Sequence, residues 1–157
     1  MKSRSRLLAT SLIVCLSIGI FAVAGYLQAA EGQGMAAGNK AMVEGAQKMM
    51  GGNKMIMDTA AKKGKKNADL AAAEKMMTDG YNMVIKGESM MTGSTMAEGQ
   101  TMVKRGSKMM LDAQKKTADI VEHKGMTYEC SSALDSCKWG EQKIKEGALD
   151  WYFGGGI

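Results

Sequence analysis

Three segments of the chain repeat one pattern of methionine and glycine. They are AMVEGAQKMM at 41–50, NMVIKGESMM at 82–91 and TMVKRGSKMM at 101–110. Methionines recur every seven residues through these segments, as at Met35, Met42 and Met49. A sustained seven-residue apolar repeat predicts α-helices that pack along a coiled-coil-like seam. The chain is therefore predicted to be all-α.

Small residues follow the heptad methionines at fixed separations. An interior glycine costs about 1 kcal/mol relative to alanine in a helix, so glycines in this pattern need a compensating contact. A glycine leaves a hole in the helix surface, which a long, unbranched methionine from a facing helix can fill. The predicted packing seam consists of Met35, Gly38, Met42, Gly45, Met49, Gly52, Met76, Gly80, Met83, Gly87, Met90, Met102, Gly106 and Met109.

Residues that start and end helices divide this region. Gly64 follows a lysine-rich stretch, and Asn67 is a predicted N-cap. Thr95 opens a capping-box pattern, Gly125 ends the helical run, and one further short helix is expected at 139–153. We predict a helical hairpin or a small three- to four-helix bundle with heptad Met/Gly packing seams, preceded by an N-terminal signal helix.

The beginning of the chain has the order of a secretory signal. A basic start precedes an apolar run over 7–24 and two alanines at 29–30. Segment 1–29 is thus predicted to be a signal peptide. An uncleaved anchor is the alternative, because an apolar run of 18 residues can just span a bilayer. The predicted remainder is a Met/Gly-rich helical repeat region, 30–125, and a C-terminal segment, 126–157. The chain after residue 29 is expected to be periplasmic or secreted. If the N-terminal segment is an uncleaved anchor, this part is expected to be held at the membrane outside the cytoplasm.

Two cysteines, Cys130 and Cys137, lie beyond the predicted signal, whereas Cys15 lies within its apolar run. An oxidising compartment favours a disulfide between them. In a continuous helix a separation of seven residues places the Cα atoms roughly 10 Å apart, which is too far for a disulfide. The sequence therefore predicts a Cys130–Cys137 disulfide and a turn between the two cysteines.

Thioether sulfur suits Cu(I) and Ag(I), so binding of copper(I) or silver(I) stays open as an alternative to packing. No two methionines are three or four residues apart, so a metal site would have to bridge helices. The metal candidates are His123, Met126, Met83 and Met90. A further alternative is a methionine oxidant sink, in which exposed methionines react with oxidants and are then reduced again. It needs accessible sulfurs, whereas the heptad places most of them inward.

The remaining composition argues against an enzyme and against a nucleic-acid partner. The chain has one His and contains no Ser/His/Asp grouping and no phosphate loop. Without the three basic residues of the signal, 18 of the 21 Lys and Arg remain against 16 Asp and Glu, and the two signs are interleaved. We expect no cofactor. The predicted class is an exported structural or interaction protein, with another copy or another protein as partner, and with membrane contact only if the N-terminal segment is uncleaved.

The C-terminal end carries three adjacent aromatic residues, Trp151, Tyr152 and Phe153. Aromatic side chains bury a large area, so we predict that this end docks onto the bundle and caps it. The alternative is an exposed segment that binds a partner.

Overall fold

The computed structural model describes residues 35–153, with side chains described as far as Trp151. The predicted signal segment, 1–29, lies outside the described residues. The described chain is all-helical, as the heptad pattern predicts. Its helices are α1 at 35–62, α2 at Ala68–Ser89, α3 at Met96–His123 and α4 at Ser131–Phe153, with a 3-10 turn at Gly93–Thr95. Among these helices, none is both long enough and apolar enough to cross a membrane.

The turn between α1 and α2 forms where the sequence predicts it. Gly64 has a φ of 65°, in the left-handed region that glycine adopts without a Cβ clash. The Lys65 N–H donates to Ala60 O at 2.8 Å, one of the bonds of a Schellman motif. Asn67 then caps α2, because its side-chain oxygen accepts a hydrogen bond from the Leu70 N–H at 2.9 Å.

The break between α2 and α3 is confirmed, but the predicted capping box is not formed. Thr95 precedes α3, yet its side chain makes no capping hydrogen bond. Its hydroxyl instead lies 2.7 Å from Met90 O and 2.9 Å from Thr92 O, and its single proton is shared between these two acceptors. Gly93, with a φ of 56°, reverses the chain just before the 3-10 turn. The Thr95 hydroxyl therefore closes the loop and does not cap α3.

The end of α3 near Gly125 is also confirmed. Gly125 has a φ of 62°, and the Met126 N–H donates to Val121 O at 2.9 Å, which repeats the Schellman arrangement. The Lys65 ammonium donates to Lys124 O at 2.6 Å. This hydrogen bond joins the α1–α2 turn to the α3–α4 turn at the same end of the molecule.

The last helix is longer than the sequence prediction. α4 extends over Ser131–Phe153, so the predicted start of the short helix at 139–153 is wrong. The additional turns bury Ala133 and Cys137, which are 3% and 1% exposed. Packing of these side chains on α1 stabilises a helix start that the local sequence marks only weakly.

The helices form two antiparallel pairs within one bundle. Gly38 of α1 faces Gly147 of α4, whereas Gly52, further along α1, faces the earlier residue Ala133. Residue numbers in α2 and α3 run in opposite directions in the same way. One core cluster draws on all four helices and contains Met42, Val43, Ala46, Met49, Met77, Val84, Val103, Met110, Ala113, Ile144 and Trp151. The described fold is therefore a four-helix bundle.

Candidate functional site

Glycines of α1 and α4 face one another across the helix pair. A Cβ placed on Gly45 would lie 2.5 Å from Gly140 O, and a Cβ on Gly140 would lie 2.5 Å from Gly45 O. Real Cβ atoms essentially never approach other atoms so closely. Gly38 and Gly147 have the same reciprocal arrangement. The two backbones are in direct contact at these positions, and neither helix has room for a side chain there.

The α2–α3 pair repeats this arrangement. A Cβ on Gly106 would lie 2.5 Å from Gly80 O, and a Cβ on Gly80 would lie 2.8 Å from Gly106 O. Gly87 and Gly99 face each other in the same way, with 2.6 Å from each added Cβ to the opposite carbonyl oxygen. Both helix pairs are thus built around backbone-to-backbone contact at glycine.

Sequence reasoning identified only part of these contacts. It missed Gly99, Gly140 and Gly147, each of which faces a glycine of the predicted seam. It also missed Ala133, whose carbonyl oxygen lies 2.7 Å from the position of a Cβ on Gly52. The signal was available, because Ala133, Gly140 and Gly147 are spaced by seven residues. It was overlooked because α4 contains no methionine.

Methionines of α1 lie over the glycines of α4. A Cβ on Gly140 would lie 2.6 Å from Met49 Cγ, and one on Gly147 would lie 2.6 Å from Met42 Cγ. Met42 and Met49 are 1% and 0% exposed. The long side chains therefore occupy the space that the facing glycines leave open.

In α2 and α3, the fully buried methionines differ from the predicted ones. Met77 and Met110 are both 0% exposed. The predicted seam methionines in or next to these helices are only half-buried, and they are Met76, Met83, Met90, Met102 and Met109. The core-facing positions of α2 include Met77, Gly80 and Val84, so Met76 and Met83 lie one residue to the side of them. The sequence predicts that most heptad methionines point inward. For these flanking methionines the prediction is wrong, because they lie beside the core-facing positions.

Cys130 and Cys137 are free thiols, each 1% exposed. α4 continues unbroken from Ser131 through Cys137, so the predicted turn between the cysteines is wrong. The predicted disulfide is absent from the structure, because seven residues of helix separate the two positions by about 10 Å along the axis. Cys137, Ile144 and Trp151 are spaced by seven residues in the core-facing row of α4, and Cys130 continues this spacing just before the helix.

Burial raises the pKa of the Cys137 thiol from 9.0 to about 11. Its Sγ lies 3.7 Å from Met49 O, to which the thiol donates. Ionisation would leave a thiolate in the core, facing that carbonyl oxygen. A pKa that is higher in the folded state means that the stabilisation is complete below about pH 9 and is lost as the pH rises towards about 11.

We expect this loss of stability at high pH to be smaller when Cys137 is replaced by Ala. The free energy of unfolding of the wild type should fall by roughly 1 to 3 kcal/mol more than that of the variant between about pH 8 and about pH 11. Urea unfolding of both proteins across this range measures the difference. Parallel stability curves would contradict a buried, neutral Cys137 thiol.

The metal candidates from the sequence differ in environment. His123 is exposed, and its Nδ1 lies 2.7 Å from Asp119 O. Met126 is 0% exposed in the core, and Met83 and Met90 are half-buried along α2. Within residues 35–151, no three or more His, Cys, Asp or Glu side chains are grouped so that they could hold a metal ion.

Trp151 docks against the bundle, as predicted, whereas the side chains of Tyr152 and Phe153 lie outside the described residues. The Trp151 ring is 8% exposed and belongs to the main core cluster. Its Nε1–H donates to Met35 O at 3.2 Å, and the Lys104 ammonium lies 5.6 Å from its ring centroid. The docked indole therefore joins the end of α4 to the first described turn of α1.

A half-open pocket of about 210 Å³ lies beside Trp151 at this end of the bundle. Its other principal lining residues are Met35, Met91, Met96, Asn39 and Gln100. The Gln100 amide donates to Met35 Sδ at 3.4 Å. Asn39 Oδ1 is buried and has no hydrogen-bond partner among the described residues. We call this surface the end pocket.

A second concave surface lies on the outside of the α1–α4 pair. Trp139 is 42% exposed, and the ammonium groups of Lys48 and Lys143 lie 5.6 Å and 5.7 Å from its ring centroid. Glu44 and Gln47 line the shallow pocket beside the ring. We call this the Trp139 surface.

The two surfaces differ in the chemistry that they present. The end pocket combines three thioethers with an indole and two amides, whereas the Trp139 surface has two ammonium groups within 5.7 Å of the centroid of an indole. Thioethers can act as soft ligands, and an indole flanked by cations can contact a partner with an apolar and acidic surface. Comparison of the chain with protein-family models, curated proteins and solved structures gives no match.

Proposed function

We propose that this chain is an exported, non-enzymatic helical protein that acts by binding another protein. Its Met/Gly faces serve packing within one bundle, and its outer surface serves the interaction. The reciprocal glycine contact in both helix pairs, shown by Gly45 with Gly140 and by Gly80 with Gly106, supports the packing role, and the exposed Trp139 ring carries the proposed interaction. Glycines engaged in this way are occupied inside the molecule and are not offered to a second copy.

Burial of the methionines favours packing over an oxidant sink. Six of the described methionines are 0% to 4% exposed, and they are Met42, Met49, Met57, Met77, Met110 and Met126. Oxidation of a methionine requires access to its sulfur and creates a polar sulfoxide, which disrupts a core. Methionine at these positions is therefore better suited to filling the irregular space beside glycine.

The Trp139 surface is the best-supported contact for a partner. Tryptophan contributes strongly at the centres of protein interfaces, because its large ring loses water on binding. The Lys48 ammonium beside the ring favours a partner that places a carboxylate next to an apolar contact, whereas the Lys143 ammonium already pairs with Glu146 at 2.7 Å. Met55 adds a second exposed apolar side chain, seven residues after Lys48 on the same side of α1.

Site-specific photo-crosslinking in the native host tests this proposal. A benzophenone amino acid would replace Trp139 in one strain and Lys108, an exposed residue of α3, in a control strain. We expect an adduct of one discrete mass from position 139 and none from position 108. Mass spectrometry of the adduct would identify the partner.

Two outcomes would contradict the proposed interaction. One is the same set of adducts from both positions, which would indicate random collision. The other is an adduct with twice the mass of the chain, which would indicate self-association through the Trp139 surface. Sedimentation of the purified protein provides an independent measurement, because the proposal predicts a monomer.

A further inference from the structure

We propose that the end pocket binds one soft monovalent cation, Cu(I) or Ag(I), through the sulfur atoms of Met35, Met91 and Met96. This site is independent of the Trp139 surface and of the proposed partner. It also differs from the metal candidates that the sequence suggested. The inference rests on the three thioethers that the fold brings to one pocket.

The three methionines come from different parts of the fold. Met35 lies on α1, Met91 follows the end of α2, and Met96 is the first residue of α3. Met91 and Met96 are separated by the reversal at Gly93, where φ is 56°. The methionine spacing excludes chelation within one helix, and here the α2–α3 turn and the bundle place methionines from separate elements around one pocket.

The lining of the pocket selects the class of cation. Among the described residues, no carboxylate and no imidazole lines it, so this part of the lining lacks the ligands that Mg²⁺, Ca²⁺ and most Zn²⁺ sites require. Thioether sulfur prefers soft ions, and Cu(I) is the biologically available example. The thioethers are neutral, so they cannot offset the charge of a divalent ion in a partly desolvated site. A monovalent soft ion therefore fits this lining best.

Other groups in the pocket also bear on cation binding. Asn39 Oδ1 is a buried acceptor without a hydrogen-bond partner among the described residues, and such an atom favours an occupant with positive charge or a donor group. The Trp151 ring adds a π face. The Lys104 ammonium already lies 5.6 Å from the ring centroid, and its positive charge disfavours a divalent ion more strongly than a monovalent one.

Silver titration of the full chain tests the site, with Ag(I) as a redox-stable probe. All three cysteines would be replaced by Ala, because thiols bind Ag(I) and would hide a thioether site. We expect one equivalent to bind in competition with a chelator. Changing Met35, Met91 and Met96 together to Leu should weaken binding at least tenfold, while circular dichroism shows an unchanged helical fold.

A matched control keeps the number of substitutions the same. Met50, Met55 and Met76 are also half-buried or exposed but lie outside the end pocket, and their combined replacement by Leu should leave the affinity for Ag(I) unchanged. If both triple variants lose affinity equally, or if neither does, the proposed site is wrong. Absence of binding to the cysteine-free parent would also overturn it.

Methyl resonances locate the ion without relying on the triple variant. In the cysteine-free protein labelled at the methionine methyl carbons, the resonances of Met35, Met91 and Met96 should shift before those of other methionines. Single Leu variants assign them, and Met96 is a tolerant position because it is 40% exposed. Uniform shifts across all methionines would show nonspecific binding and reject the site. An unchanged spectrum with silver, but shifts with an apolar alcohol, would identify the pocket as an organic-ligand site.

Discussion

Replacing Gly45 with Leu is expected to destabilise the protein by about 3 kcal/mol or more, although leucine is the better helix former. Even the Cβ of the new side chain would lie 2.5 Å from Gly140 O and 2.9 Å from Ile144 N. Both atoms belong to the α4 backbone, so neither can move without moving the helix. The α1–α4 pair must separate, and the core between the two helices loses contact.

Gly51 provides a control on the same helix. A Cβ on Gly51 would have no atom of another element within 4 Å, and the residue is exposed. Gly51→Leu should therefore stabilise the protein by roughly 0.5 to 1 kcal/mol through helix propensity alone. Urea unfolding followed by circular dichroism measures both variants. If Gly45→Leu also stabilises the protein, direct backbone contact between α1 and α4 is refuted.

Replacing Met110 with Ala is expected to cost about 2 to 5 kcal/mol, because it leaves a cavity between α2 and α3. Met110 is 0% exposed, and its Cγ would lie 2.8 Å from a Cβ on Gly80. The smaller glycine cannot fill the space that the truncation opens. Met110→Leu keeps most of the volume and should cost less than about 1.5 kcal/mol.

Met55 is the matched surface control for Met110. It is 46% exposed, so Met55→Ala should change the free energy of unfolding by less than about 0.5 kcal/mol. Chemical denaturation of the three variants and the wild type gives the ranking. A loss at Met55 as large as the loss at Met110 would be incompatible with the described core. A stability of Met110→Ala close to that of the wild type would be equally incompatible.

The turns were predictable because they depend on neighbouring residues. Gly64 and Gly125 adopt positive φ values that glycine tolerates, and Asn67 caps the helix that follows it. Two predictions at helix starts were wrong, for different reasons. Thr95 and a glutamate three residues later match a capping box, but the hydroxyl of Thr95 bonds to the preceding loop. The start of α4 depends on Cys137 and its neighbours packing against α1, which no local pattern reports.

The cysteines illustrate how one spacing supports two interpretations. Cys130 and Cys137 are seven residues apart, and the prediction of a disulfide assumed a turn between them. The same separation continues through Ile144 and Trp151, which gives a heptad row on a continuous helix. Methionine marks the repeat elsewhere in the chain, whereas this row contains none, so a pattern based on methionine does not report it.

The sequence by itself determined that the described chain is helical, where α1, α2 and α3 end, and which small residues recur every seven positions. These properties follow from local backbone preferences and from the period of the helix. Tertiary structure decided that Gly45 meets Gly140, that Met77 and Met110 fill the core, and that Met35, Met91 and Met96 share one pocket. A seven-residue repeat is compatible with several helix partners and registers, and only the simultaneous packing of all four helices selects one of them.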